Sequence, residues 1–136
     1  MYQYAWYTVL PFNVTFLPGE PVYEQVIYAV KKAILSGNLE PNARFPSVRS
    51  LSQELKISPN TAHKVVMALT VEGFLAVNPG IGTLVARPPA GSAGDRTALL
   101  NGDVERLVFE ARQLGLGEDQ VLAAVRRHWR KISFPS

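Results

Sequence analysis

The 136-residue chain is 47% apolar with a net charge of +3 and a sequence pI of about 9.4, enough for one small core plus an appendage and only modestly basic. It has no cysteine, which excludes disulfide scaffolds, thiol catalysis and Cys-ligated metals. No apolar run reaches membrane-spanning length, and Met1-Tyr2-Gln3-Tyr4 lacks the charged start of a signal peptide, so a cytoplasmic protein with no membrane partner is expected.

Residues 1–18 hold six of the thirteen aromatics: Tyr2, Tyr4, Trp6, Tyr7, Phe12 and Phe16. Alternation over Asn13-Val14-Thr15-Phe16 predicts a strand that ends at Leu17-Pro18-Gly19. So apolar a segment does not stand free in water. It either covers an apolar patch on its own or a partner subunit, or lines a site for a small apolar ligand.

Pro21 to Ser36 reads as a helix burying Val22, Val26, Ala29, Val30, Ala33 and Ile34, and Gly37 stops it. Lys31 and Lys32 fall on its polar face, as solvated cations or as phosphate contacts. Asn38 to Asn42 turns the chain. A short helix follows, capped by Ser47, with Val48, Leu51 and Leu55 as its stripe and Arg49 off that stripe in the first turn. The macrodipole slightly disfavours a cation there, which a phosphate or base partner would offset.

Lys56-Ile57 leads into a third helix. Ser58 is its cap and Pro59 its first residue, where a missing N–H costs nothing. Ala62, Val65, Val66 and Leu69 form a face to bury; Asn60, His63, Lys64 and Met67 form the opposite face. Gly73 is placed to end the helix in a left-handed conformation. Phe74–Asn78 and Thr83–Ala86 read as two strands joined through Pro79-Gly80-Ile81-Gly82. From Arg44 to Arg87 there are five Lys/Arg against two Glu. Helix, turn, helix and ribbon in this order form a shape for reading DNA, with hydrogen-bonding side chains near a helix start aimed at base edges. The same shape also serves in protein-interaction modules and in proteins that bind DNA without sequence preference.

Pro88-Pro89-Ala90-Gly91-Ser92-Ala93-Gly94 is a linker by composition. Beyond it, Leu99, Leu100, Val104, Leu107, Val108, Ala111 and Leu114 lie at helical spacing and Gly115 ends the run. Val121, Leu122, Val125 and Trp129 mark a second helix, with Gly117 as its cap. Such helices need the domain, each other or a second chain to bury their stripes, and a two-fold dimer suits paired half-sites on DNA. Arg126, Arg127, His128, Arg130 and Lys131 make a basic end that complements the final helix dipole or contacts DNA or an effector. His63 and His128 are far apart, no His pair has zinc spacing and no glycine loop precedes a helix as a phosphate cradle. No catalytic residues, metal or cofactor are expected.

Six pieces carry a family resemblance: Pro21-Val22-Tyr23-Glu24-Gln25-Val26; Ala33-Ile34-Leu35-Ser36-Gly37-Asn38-Leu39-Glu40-Pro41; Arg44-Phe45-Pro46-Ser47-Val48-Arg49-Ser50-Leu51; Ser58-Pro59-Asn60-Thr61; Glu72-Gly73-Phe74-Leu75; and Gly80-Ile81-Gly82-Thr83. In this order they resemble the winged helix-turn-helix domain of the GntR family of bacterial transcription regulators. The tail, with Leu107-Val108-Phe109-Glu110-Ala111-Arg112-Gln113-Leu114-Gly115-Leu116, resembles the YtrA-type subfamily.

The resemblance implies a mainly α fold with a small β-wing: an N-terminal extension (1–18), a winged helix-turn-helix domain (19–87), a linker (88–97) and a two-helix dimerisation appendage (98–132). It implies a bacterial, nucleoid-associated regulator, a repressor binding double-stranded operator DNA as a homodimer, with a small-molecule effector left open. The DNA-contacting set is Arg44, Ser47, Arg49, Ser58, Asn60, Thr61, His63, Lys64, Gly80 and Gly82. Many members have arginine where this chain has Pro59 or His63, and a basic residue where it has Pro79. His63 cannot form the bidentate arginine–guanine pair, which sets this operator apart.

Overall fold

Helix α1 spans Val22–Leu35 in the computed structural model, which describes residues 10–87 and 90–132. Its buried residues, Val26, Val30, Ala33 and Ile34, fall on one face at helical spacing. Gly37, at φ +87°, turns the chain out of the helix, and the Leu39 amide donates to the Ala33 carbonyl at 3.0 Å. Helix α2, Val48–Leu55, starts at Ser47, whose hydroxyl accepts from the Ser50 amide. It ends on Lys56, a non-glycine residue at φ +55°. The Ser52 hydroxyl closes that turn by donating to the Ile57 carbonyl at 2.6 Å. Helix α3, Pro59–Val71, buries Ala62, Val65, Val66 and Leu69. At its end Gly73 takes φ +84°, and the Phe74 amide donates to the Leu69 carbonyl at 2.9 Å, as in a Schellman motif.

Strands β1, Leu75–Asn78, and β2, Gly82–Val85, pair antiparallel in the register Leu75↔Val85, Ala76↔Leu84, Val77↔Thr83, Asn78↔Gly82. Gly82 therefore belongs to the ladder, and the connection is Pro79-Gly80-Ile81. The sequence reading has no counterpart for the other edge of β2. There Arg44 bridges Leu84, Phe45 donates to the Thr83 carbonyl, and Val85 donates to the Ala43 carbonyl, both at 2.8 Å. Residues 43–45 thus run beside β2 as an isolated bridge, entered through Asn42 at φ +71° and too brief between Pro41 and Pro46 to show a period. Around these elements the core closes on Val26, Val30, Leu51, Val65, Leu69, Leu75 and Val85, each almost wholly out of water.

The strand expected over 13–16 does not form; that segment has no ladder partner and runs as irregular chain. Its apolar residues nonetheless pack inward, with Phe12 buried and stacked on Phe45 at a centroid separation of 5.9 Å and an interplanar angle of 3°. Leu10, Val14 and Phe16 flank the core. Gln25 of α1 fastens this arm: its side chain accepts from the Leu17 amide and donates to the Leu17 and Glu20 carbonyls. The covering role expected for this segment is thus met over 10–18 by the domain's own core. Tyr2, Tyr4, Trp6 and Tyr7 lie outside the described residues.

The chain divides into two compact units near residues 88 and 89. In the second, helix α4 spans Ala93–Ala98, a π-helical turn covers Leu99–Asp103, helix α5 spans Val104–Gln113 and helix α6 spans Glu118–Lys131. The linker expected over 88–97 is shorter than composition implies. Ser92 and Asp95 form a capping box, with the Asp95 amide and the Ser92 hydroxyl, and the Ser92 amide and the Asp95 carboxylate, paired at 3.0 Å each. This reciprocal pair starts the helix at Ala93 despite Gly94. Gly115, at φ +77°, ends α5, and the Gln120 side chain accepts from the Gly117 amide to open α6. Ala111 alone is buried among the described residues of this unit.

Candidate nucleic-acid interface

The face of α3 opposite its buried stripe carries Asn60, His63, Lys64 and Met67, all exposed. Asn60, His63 and Lys64 stand at i, i+3 and i+4, so they project together from the first two turns. A helix that fixes one face with four buried aliphatic side chains holds the other at a defined azimuth, as base-edge readout requires.

Both helix starts in the motif are hydroxyl-capped. Ser58 accepts from the Thr61 amide at 3.1 Å and donates to Thr61 Oγ1 at 2.8 Å. Ser47 accepts from the Ser50 amide at 3.1 Å and donates to Ser50 Oγ at 3.2 Å. Three of the expected contact residues, Ser47, Ser58 and Thr61, are therefore already engaged in local caps. The Ser47 and Ser58 hydroxyls donate to a nucleic-acid oxygen only by turning out of these hydrogen bonds, whereas Thr61 Oγ1 accepts in its bond and keeps its own O–H to donate. Arg49, on the first turn of α2, is exposed and makes no ion pair among the described residues.

Arg44 lies on the short edge beside β2, so it belongs to the wing rather than to the approach to α2. At the wing tip Gly80 has φ +85° and Gly82 φ +116°. No atom outside the immediate chain lies within 4 Å of a Cβ built on either glycine. Backbone conformation, not crowding within the protein, is what calls for glycine here. Ile81 between them is half in water and Val77 more so, which leaves exposed apolar side chains on the ribbon and at its tip. On the C-terminal half of α3, Met67, Ala68, Val71 and Glu72 with His63, Lys64 and Tyr23 line a shallow open depression that the sequence reading did not foresee. Lys31 is drawn away from the solvated role expected for it: its Nζ lies 2.7 Å from Glu72 Oε1.

A helix-turn-helix with a capped, polar-faced second helix followed by a β-ribbon is the winged-helix class of DNA-binding domain. Residues 22–85 match the profile of the bacterial regulatory proteins of the gntR family. The chain is 32% identical over 94 residues to the HTH-type transcriptional repressor YtrA of Bacillus subtilis, covering 69% of this chain and 68% of that one. It is 38% identical over 73 residues to the histidine utilization repressor of Klebsiella aerogenes, 54% of this chain but only 30% of that protein. A transcriptional antiterminator from Listeria monocytogenes shares the fold at TM-score 0.77 and 19% identity, covering 92% of this chain and 94% of that one.

The chain belongs to the GntR family, and its similarity to YtrA places it with the YtrA-type members. It is a DNA-binding transcription regulator and not an enzyme. Among the described residues no helix is long and apolar enough to cross a membrane.

Proposed function

We propose that this regulator is a repressor acting as a homodimer on an inverted-repeat operator. In this reading α3 enters the major groove, where Asn60, Thr61 and His63 address base edges. Arg44, Arg49, Lys64 and the starts of α2 and α3, with Ser47 and Ser58, hold phosphates. The wing tip, Gly80 to Gly82, approaches the adjoining minor groove. The exposed trio Asn60, His63 and Lys64, back to back with the buried Ala62, Val65, Val66 and Leu69, is the observation that carries this reading.

The dimer is supported by the second unit. Leu99, Leu100, Val104, Leu107, Val108, Leu122, Val125 and Trp129 are all exposed there. An apolar surface of this extent calls for a covering partner, and a two-fold copy of the chain supplies it while spacing two readers on DNA. Repression follows from occupying promoter DNA in the bacterial cytoplasm, and release follows from an effector or a change in dimer geometry.

Selection of bound sequences from a random duplex pool at physiological salt tests the proposal. An enriched inverted repeat is the expected result. Retention of DNA without an enriched motif would make the protein a non-specific binder, and no retention would refute the DNA reading for the free chain.

A further inference from the structure

We propose that Lys31 is a positioning residue that sets the angle between the recognition helix and the wing. The inference rests on the DNA-reading assignment above. Lys31 sits on α1, outside the recognition helix and the wing. Its Nζ lies 2.7 Å from Glu72 Oε1 and 5.1 Å from the centroid of the Phe74 ring. Glu72 is the C-terminal cap of α3, and Phe74 is the last residue before β1. Between them stands Gly73, in the left-handed conformation at φ +84°.

One cation thus holds the residues on both sides of the backbone pivot that joins the two DNA-reading elements. A glycine at that point is the most permissive pivot available. The backbone hydrogen bonds at the pivot, Gly73 to the Thr70 carbonyl and Phe74 to the Leu69 carbonyl, fix the exit from the helix locally. The Lys31 contacts tie that exit to α1, 41 residues earlier in the chain. The Lys31 side chain is 30% exposed and that of Glu72 47%, so the ion pair is a modest surface pair, to which the ring contact adds. With the pivot held, α3 and the wing tip meet two grooves at a fixed separation. Without it each element still folds, but the pair samples a range of angles, and binding must select among them.

The alternative role for this lysine is a direct phosphate contact, and the two have different signatures. Lys31→Met, Lys31→Arg and Glu72→Gln are compared with the wild type on the selected operator across a salt series, and free-protein amide exchange is followed at Gly73 and Phe74. Lys31→Met and Glu72→Gln are each expected to weaken binding about fivefold with an unchanged salt slope, the size of one partly exposed pair with a ring contact. Lys31→Arg keeps near-wild-type affinity because arginine retains both partners. Exchange at Gly73 and Phe74 should quicken in the methionine variant and not in the arginine one. A wing substitution, Ile81→Ala, should cost less in the Lys31→Met background than in the wild type.

Unchanged affinity and exchange in Lys31→Met would overturn the proposal. So would a salt slope lowered by about one per lost contact with Glu72→Gln silent, since that marks a phosphate ligand. If the wild type enriches no operator, the regulatory reading fails by itself. The amide exchange of the free protein still decides whether Lys31 holds the pivot.

Discussion

Replacing Phe12 with alanine measures how far the arm before α1 is part of the domain. Phe12 is 7% exposed and stacks parallel and offset on Phe45, itself 6% exposed. Truncating a buried Phe removes its transfer free energy, leaves a cavity and costs about 3–5 kcal/mol. The stack adds to what the ring contributes through area alone. The arm is irregular and held at its far end by Gln25, so the site can partly collapse, and the low end, about 3 kcal/mol, is expected. For a domain of this size each kcal/mol shifts Tm by roughly 4–8 °C, so the 10–87 unit should melt about 12–24 °C lower. Circular dichroism melts and urea titrations at 25 °C read this directly. Operator affinity measured well below the new Tm should stay within about threefold of wild type, because the loss lies in the folded fraction. A destabilisation under about 1 kcal/mol would show that the arm is an ornament on a core complete without it.

Arg49→Ala should leave the melt unchanged, since the side chain is exposed and makes no ion pair among the described residues, and lower the salt slope of operator binding by about one per protomer; an unaltered slope removes Arg49 from the phosphate contacts. Ser58→Ala should cost about 1 kcal/mol of stability through the lost cap and weaken operator binding further by unsettling the first turn of α3; a variant as stable as wild type would contradict the capping geometry. Leu107→Arg with Val108→Arg should convert the proposed dimer to monomer in sedimentation while the 10–87 unit keeps its melt, and a dimer that persists would place the interface elsewhere. The Ser92 amide and hydroxyl hold the Asp95 carboxyl below the usual carboxylate range. The capping box is therefore present above the ordinary value of about 4 and lost as pH falls through the lowered one. The protection of the Ser92 and Asp95 amides, relative to their intrinsic exchange rates at each pH, should fall in acid, and Asp95→Asn should show weakened protection already at neutral pH.

The period of 3.6 in α1 and α3, the Ser-Pro start of α3 and the glycines at 37, 73 and 115 carry their meaning within a few residues, so the helices and their ends were legible from the chain alone. The same holds for the polar face at Asn60, His63 and Lys64. It is simply what remains once Ala62, Val65, Val66 and Leu69 are assigned inward. Short-range chemistry missed by composition, such as the Ser92–Asp95 box inside an apparent linker, was also written in the sequence, but as a pair of residues rather than as an average. What only the tertiary structure decided spans long stretches of chain. Residues 42–45 take a place on the edge of β2; Phe12 finds Phe45; Lys31 pairs with Glu72 and lies over Phe74. None of these pairs has a local period, because each partner is chosen by which surfaces the packed core brings within reach. The physical reason is the difference in range. Caps and periodicities are settled by neighbours along the chain, whereas the fastening of the arm and of the α3–wing pivot exists only after the core of Val26, Leu51, Leu69 and Val85 has closed.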